Sequence, residues 1–377
     1  MEENKKRSWA EVKLENIRHN YRAIKAALPE GCKFLGVVKA DAYGHGAVEV
    51  SKLLESEGAD YLAVSCLDEA IELRSNGITM PILILGHTPP EYTETLIDNN
   101  ITQAVSCLAK AEEYSDAATS VGKTLKIHIK LDTGMSRLGF ICSGSHFESG
   151  VANVIAACKM PNLNPEGIFT HFAVSDETDE DSNAYTKKQF ELFMSVIDSV
   201  STIGGVTFEI RHCANTGAVV NHLPETALDM VRPGLLLYGY GDNEGKLGLK
   251  PCMRVVTTIS TIKNYESGTP VSYGCRFTTT GKTRIGVLGI GYADGLFRVL
   301  SNNCSFECKG KKISQVGQIC MDMCMVNINN MPDIGVGDEV EIFGENNDIN
   351  KLAEAAHTIP YELLCSISKR VPRIYTE

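Results

Sequence analysis

Lys39 closes an apolar run, Val37-Val38-Lys39, and is followed by Ala40-Asp41-Ala42-Tyr43-Gly44-His45-Gly46. A strand that ends in a lysine and enters a loop with two glycines presents an amine at its C-terminal end. In a parallel barrel that end is the mouth where active sites sit. Desolvation there lowers an ammonium from about 10.4 toward neutrality, the condition for Schiff-base chemistry. The same lysine could equally run its stem along apolar surface and keep its charge in water. Other runs end in a similar way: Lys130, Asp132 and Arg137 at the close of Leu125 to Leu131, then His171, then His212 with Asn215 and Thr216, then Arg232 with Gly234. A single histidine at a strand end is a weak signal. Several polar groups on one rim are a stronger one, because burying each without a partner costs roughly 1–3 kcal/mol.

The elements that must position these residues are legible in the pattern. Apolar residues at Ile17, Tyr21, Ile24 and Leu28 give one face of an opening helix. Eight short apolar or β-branched runs follow: Phe34 to Val38, Tyr61 to Val64, Ile82 to Leu85, Ile101 to Val105, Leu125 to Leu131, Gly167 to His171, Phe208 to His212 and Leu228 to Val231. Amphipathic stretches such as Ala47 to Glu57, Leu67 to Ser75, Ala109 to Ala118 and Tyr185 to Val200 lie between them. Strand and helix alternating over about 235 residues predict a closed (β/α)8 barrel. Gly239 to Gly248 reads as a boundary. Beyond it Val255 to Ile262, Ile285 to Ile290, Lys312 to Val316, Cys324 to Ile328 and Glu339 to Phe343 predict a β-rich second domain.

The loop after Val38 resembles the cofactor-lysine signature of alanine racemases, fold-type III pyridoxal phosphate enzymes. So, in order, do Leu131-Asp132-Thr133-Gly134-Met135-Ser136-Arg137-Leu138-Gly139, Thr170-His171-Phe172, His212-Cys213-Ala214-Asn215-Thr216, Val231-Arg232-Pro233-Gly234, Ser272-Tyr273-Gly274, Gly291-Tyr292-Ala293-Asp294-Gly295, Ile319-Cys320-Met321-Asp322 and Arg370-Val371-Pro372-Arg373. The match runs from about Trp9 to the last residues. It departs from the family at Ser136, where glycine is common, and at Met323, where a polar residue is common. Both departures leave substrate preference open.

The resemblance implies a TIM-type α/β barrel over residues 11–242 and a mostly-β domain over 243–377, joined by an N-terminal strand within residues 1–10. It implies a homodimer whose active sites draw on both subunits. Lys39 is then the cofactor lysine and one base, and Tyr273 the second base, supplied by the other subunit. Two bases suit racemisation, which takes a proton from one face of Cα and returns it to the other. A tyrosine holds its proton to about pH 10, so a relay through His212 to Arg232 is expected to help it. Arg232 is implied to face the pyridine nitrogen, with His171 beside the cofactor. Tyr43, Asn215 or Thr216, Tyr361 and the backbone N–H groups of Gly234 and Leu235 are implied to hold the phosphate. Arg137 holds the substrate carboxylate or the cofactor's phenolic oxygen, Tyr292 and Met321 line the entrance, and Asp322 supports them. Lys130 matches a lysine that is carbamylated in many members. Without the resemblance, Tyr273, Tyr292 and Tyr361 read as packed aromatics and Met321 as core filler.

The chain of 377 residues has a net charge of -11, which excludes the clustered cations of a nucleic-acid surface. Its thirteen cysteines are scattered, several in apolar runs as at Cys66, Cys107, Cys320 and Cys365. That predicts reduced, buried thiols in a cytoplasmic setting. Cys320 and Cys324 have no partner pair at zinc spacing, so no metal is expected. No apolar run has the length of a membrane span, although Lys5, Lys6 and Arg7 could follow a removed anchor. The expected function is interconversion of L- and D-alanine to supply peptidoglycan. The alternative is a serine or dual serine/alanine racemase domain of the membrane-anchored, glycopeptide-resistance type. A non-catalytic cofactor-binding protein is disfavoured by the C-terminal third, and a basic amino acid decarboxylase by Arg232.

Overall fold

The computed structural model describes residues 7–242 and 245–377; Lys5 and Lys6 lie outside them. By internal contacts the chain forms two units: residues 17–42 with 47–250, and residues 7–16 with 43–46 and 251–377.

The chain opens with β1 (Ser8–Lys13) and a helix over Leu14–Ala27, whose apolar face buries Ile17, Tyr21 and Ile24. The larger unit is then built on β2 (Lys33–Val37), β3 (Tyr61–Val64), β4 (Ile82–Ile84), β5 (Ile101–Val105), β6 (Leu125–Asp132), the two-residue β7 (Phe140–Ile141), β8 (Leu163–Phe169), β9 (Ile210–His212) and β10 (Met230–Val231). Apart from β7, which pairs with β6, these strands run parallel in the order β10, β2, β3, β4, β5, β6, β8, β9. The barrel is nearly closed. Its two end strands are tied by Asp229 N–H to Arg211 O at 3.1 Å and Arg232 N–H to Ala214 O at 2.9 Å. Helices such as Ala47–Glu57, Leu67–Ser75, Leu108–Ser120 and Glu180–Gly204 connect the strands. β3 and β4 are buried at every position, as strands of a parallel sheet enclosed by helices must be.

β8 departs from the sequence reading, which starts it at Gly167. It begins at Leu163 and carries a bulge: Ile127 pairs with Pro165 and His128 with Gly167, which leaves Glu166 as the extra residue. Pro and Glu are both poor strand formers, so the pattern conceals this half of the strand.

The second unit contains β11 (Met253–Tyr265), β12 (Pro270–Val271), β13 (Phe277–Thr278), β14 (Thr283–Leu288), β15 (Ser305–Cys308), β16 (Lys311–Val316), β17 (Cys324–Asn327), β18 (Glu339–Phe343) and β19 (Arg373–Thr376). Its main sheet has the order β14, β17, β16, β15, β18, β11, β1, β19, and the long β11 also pairs with β14. Only β1 with β19 is parallel in this sheet. Trp9 of β1 packs with Val256 and Ile374, so the N-terminal strand belongs to the β-unit's core.

The cysteines are all free, but the expectation that they are buried fails at the four positions singled out: Cys320 is only partly buried and the other three are exposed. Cys66 and Cys107 are exposed because each is the N-cap of a helix, and Cys365 is exposed on the short helix Pro360–Ser366. Among the described residues no helix is long and apolar enough to cross a membrane.

Candidate active site

Lys39 stands two residues beyond the end of β2, at the C-terminal end of the barrel. The residues after it, Ala40, Asp41, Ala42 and Tyr43, all have φ between 51° and 54°. A left-handed turn of four non-glycine residues costs roughly 1–2 kcal/mol per residue and must be held by its surroundings. Ala40 N–H donates to Glu69 Oε1 at 2.6 Å, Ala42 N–H to Val38 O at 2.8 Å, and Asp41 Oδ1 accepts from Ala47 N–H at 2.8 Å. Within the β-unit, a Cβ on Gly44 would lie 2.3 Å from Leu364 O, so glycine is required there for close backbone approach as well as for its φ of 81°. Tyr43 is buried with its ring centroid 5.7 Å from that of Tyr361.

On the barrel rim the structure brings Arg232, His171, His212, Lys130 and Arg137 together. Arg232 is 4% exposed. Its Nη2 donates to Thr170 O at 2.7 Å and Cys213 O at 3.1 Å and lies 3.5 Å from His171 Nδ1, while Nη1 donates to His212 Nδ1 at 3.1 Å. Burial lowers this guanidinium to about 10. Burial, then the charges of Arg232, Lys130, Arg137 and Lys39, push His171 down to about 2, so its imidazole is neutral. Lys130 packs with its Nζ 4.4 Å from the centroid of the Phe169 ring. Burial together with Arg232 and Arg137 holds it well below the ordinary lysine range, against the opposing effect of Asp132. The relay expected through His212 does not survive. One of its nitrogens is taken by Arg232 and the other, Nε2, lies 2.9 Å from His128 Nδ1, so neither is left for a tyrosine.

Arg137 is exposed in the loop after β6 and lines a cavity of about 440 Å³ with Asp132, Gly134 and Ser143. Asp132 Oδ1 shapes that loop by accepting from Gly134 and Ser136 N–H, both at 3.0 Å. Ser136 has φ 55°, which explains why glycine is common there. Asn215 caps the helix Thr216–Asn221 by accepting from Ala218 N–H, and Thr216 Oγ1 accepts from Gly234 N–H at 3.1 Å; Leu235 opens the next helical turn.

The β-unit places Tyr273, Tyr292 and Met321 on connected loops: Ser272 Oγ donates to Gln318 O at 2.7 Å, and Tyr292 N–H donates to Cys320 O at 3.0 Å. Tyr273 is 70% exposed, Met321 52% and Tyr292 43%. The alternatives of packed aromatics and core filler are thereby excluded for these three. Asp322 accepts from Arg370 Nη2 at 2.6 Å. The fully buried Asp294, quoted within its motif but given no role there, holds the Tyr292 turn by accepting from Gly291 N–H and pairs with Arg7 and Arg370. His128 and Glu166 were also missed. Their only signal was a histidine in mid-strand within Ile127-His128-Ile129.

A parallel barrel whose rim concentrates buried cations and a lysine, on a chain that also carries a β-unit presenting an exposed tyrosine, defines a class: a barrel enzyme equipped for an anionic group and for acid–base chemistry. Comparisons narrow the class. The alanine racemase N-terminal domain model matches residues 12–242 and the C-terminal domain model residues 252–375. The alanine racemase of Desulfosudis oleivorans is 42% identical, over 98% of this chain and 96% of that protein. A solved alanine racemase of Clostridium difficile 630 superposes with a TM-score of 0.93 at 44% identity, covering 99% of this chain and 96% of that one. The structure of that organism's enzyme in complex with cycloserine gives a TM-score of 0.90 at 43% identity, with the same coverage. The chain belongs to the alanine racemase family and is a racemase. Members of that family generally depend on pyridoxal phosphate.

Proposed function

We propose that this chain interconverts L- and D-alanine with pyridoxal phosphate, as a homodimer whose active sites each take residues from both subunits. The observation that carries the reading is Arg232. Its buried guanidinium is held by an imidazole and two carbonyls, with Lys130 and Arg137 close enough to act on the same His171. The guanidinium groups of Arg232 and Arg137 fit a phosphate-bearing, phenolate-bearing group. Bound there, pyridoxal phosphate supplies the electron sink that makes the Cα proton of an amino acid removable.

Lys39 anchors the group and moves a proton at Cα through Nζ on one face. Tyr273 of a second subunit does so through its hydroxyl on the other. His171, beside the same guanidinium, takes over the relay that His212 cannot perform. Arg232 stays protonated and so gives the ring nitrogen no proton, which disfavours net transfer of the amino group. Tyr43, Tyr361, Asn215 or Thr216 and the N–H groups of Gly234 and Leu235 would hold the phosphate. Arg137 holds the substrate carboxylate. Tyr292 and Met321 border the entrance, with Asp322 bracing their loop through Arg370. Lys130, depressed toward the neutral amine, is suited to carbamylation, which an intact mass would reveal.

The enzyme works in the cytoplasm and feeds D-alanine to peptidoglycan. The test is racemisation of L-alanine and L-serine by the purified chain with and without added cofactor. Cofactor-dependent turnover favouring alanine is expected. Preference for serine moves the substrate to the glycopeptide-resistance type, and turnover of neither overturns the reading.

A further inference from the structure

A row of buried side chains leads away from Arg232 through the barrel. Arg232 Nη1 meets His212 Nδ1 at 3.1 Å, His212 Nε2 meets His128 Nδ1 at 2.9 Å, and His128 Nε2 meets Glu166 Oε2 at 3.4 Å. Tyr61, the first residue of β3, donates its hydroxyl to the same Glu166 oxygen, and Lys126 Nζ lies 3.6 Å from the other. Both histidines are fully buried.

The chemistry of the two ends fixes every hydrogen between them. An arginine only donates, so His212 Nδ1 accepts and its hydrogen sits on Nε2. His128 Nδ1 must accept that hydrogen, which puts its own on Nε2, facing a carboxylate that only accepts. One arrangement satisfies all three contacts. Each end alone dictates this same direction, so the opposite arrangement becomes available only if both ends are replaced by groups that donate and accept.

The backbone is shaped for this row. Glu166 is the extra residue of the β8 bulge, a device that re-aims a side chain. Its neighbour Gly167 leaves space for the imidazole, since a Cβ there would lie 2.6 to 2.8 Å from three atoms of the His128 ring. Phe169 stacks on His212 with centroids 4.8 Å apart and planes 12° apart, which locks the second ring. Burial works to raise the Glu166 carboxyl, but hydrogen bonds from His128 and Tyr61 outweigh it and hold it down at about 2, so the acceptor end is ionised. Burial keeps both imidazoles neutral.

We propose that Glu166 is a remote positioning residue for the racemase reaction, acting as the anionic acceptor at the end of the His128–His212 hydrogen-bond row to fix the orientation and protonation of Arg232. This rests on the assignment of Arg232 to the cofactor ring. The row gives that guanidinium an anionic counterpart two imidazoles away, where no carboxylate can reach the ring nitrogen and supply a proton.

The test uses the holoenzyme and its Glu166→Gln and His128→Phe variants. Expected are a kcat lowered roughly tenfold or more, as for loss of other outer-sphere partners, with KM barely changed. The pH at which the bound cofactor's visible absorbance changes should shift, and more cofactor should convert to the amine form per racemisation event. Unchanged absorbance titration and conversion ratio, with only a lowered urea midpoint, would make the row purely structural and overturn the proposal. Nitrogen NMR of histidine-labelled wild-type protein tests it without a variant. His128 and His212 should both be neutral with hydrogen on Nε2, through the range near 6.5 where ordinary histidines titrate. Hydrogen on Nδ1, or titration there, overturns it. A wild type that racemises while failing these tests sinks the inference alone; one that does not racemise sinks the assignment beneath it.

Discussion

The barrel rim and the loops of the β-unit are built on opposite terms. On the rim three groups are positioned by neighbours of their own unit: Arg232 by carbonyls and an imidazole, Asp132 by its loop, His212 by contacts on both nitrogens. In the β-unit the backbone that carries Tyr273 and Tyr292 is fixed by hydrogen bonds, yet the side chains face outward, Tyr273 at 70% exposed. A buried charged rim is a site in itself. Fixed loops with exposed aromatic and thioether side chains are what the proposed shared site assigns to a second chain, and the predictions below test that assignment.

The largest effect that could break this contrast is loss of turnover. Lys39→Ala and Tyr273→Phe should each lower kcat/KM by about 10³-fold or more, toward the upper range for a positioned acid or base. Mixing the two inactive proteins under conditions that exchange subunits should restore activity. Each mixed dimer then contains one site with both native groups, which gives about a quarter of wild-type turnover at random assortment. Absence of recovery, with mixed dimers demonstrated, would place Lys39 and Tyr273 of a working site on one chain.

The rim's burial has a cost in acid. His128, His171 and His212 are held neutral in the fold, below the value of about 6.5 they take up when unfolded. Above that pH neither state binds the proton and there is no penalty. Below it the unfolded chain gains three protons that the native chain refuses, so stability should fall as pH drops, with a slope approaching about 4.1 kcal/mol per pH unit, that is, about 1.36 for each histidine. Glu166, lowered to about 2, adds to this loss only below about 4.5, where the unfolded carboxyl begins to bind its proton. Urea midpoints of the holoenzyme measured from pH 7.5 down to about 5.5 give the slope, and His128→Phe should remove roughly a third of it. A flat profile would mean the rim is less sealed than its geometry indicates.

Gly167→Ala probes the same region more gently. The added Cβ must displace the His128 ring, and overpacking of this kind costs about 1–3 kcal/mol. Equilibrium unfolding should detect it, and no change would indicate that the ring moves freely.

Much of this was legible in the sequence, for different physical reasons. The strand-end residues Lys39, Lys130, His171, His212 and Arg232 could be read because a polar residue after an apolar run is conspicuous, and parallel topology then collects such ends on one rim. The first half of β8 was hidden because Pro165 and Glu166 mimic a loop. His128 was overlooked because its purpose depends on a bulge in a different strand, which no local pattern encodes. His212 was given the wrong partner for a related reason: strand-end position says which rim a residue reaches, whereas hydrogen-bond partners depend on side-chain directions across the barrel. The exposed state of Tyr273 and Met321 was concealed because the same residue types fill cores.

The smallest effect in isolation discriminates best at the β-unit surface. Met321 is 52% exposed and Asp322 beside it is tied to Arg370, so Met321→Lys removes no internal contact of consequence. Monomer stability should change by no more than about 0.5 kcal/mol, the usual range for surface substitutions. If this surface is covered by a second subunit, however, the variant must bury a charge there, and an unpaired buried charge weakens association strongly. Specific activity of Met321→Lys should therefore fall on dilution at concentrations where the wild type holds constant, in step with the appearance of monomer in sedimentation. Unaltered activity and assembly at every concentration would show that these loops lie open in the working enzyme, and the contrast between a buried half and a completing half would lose its basis.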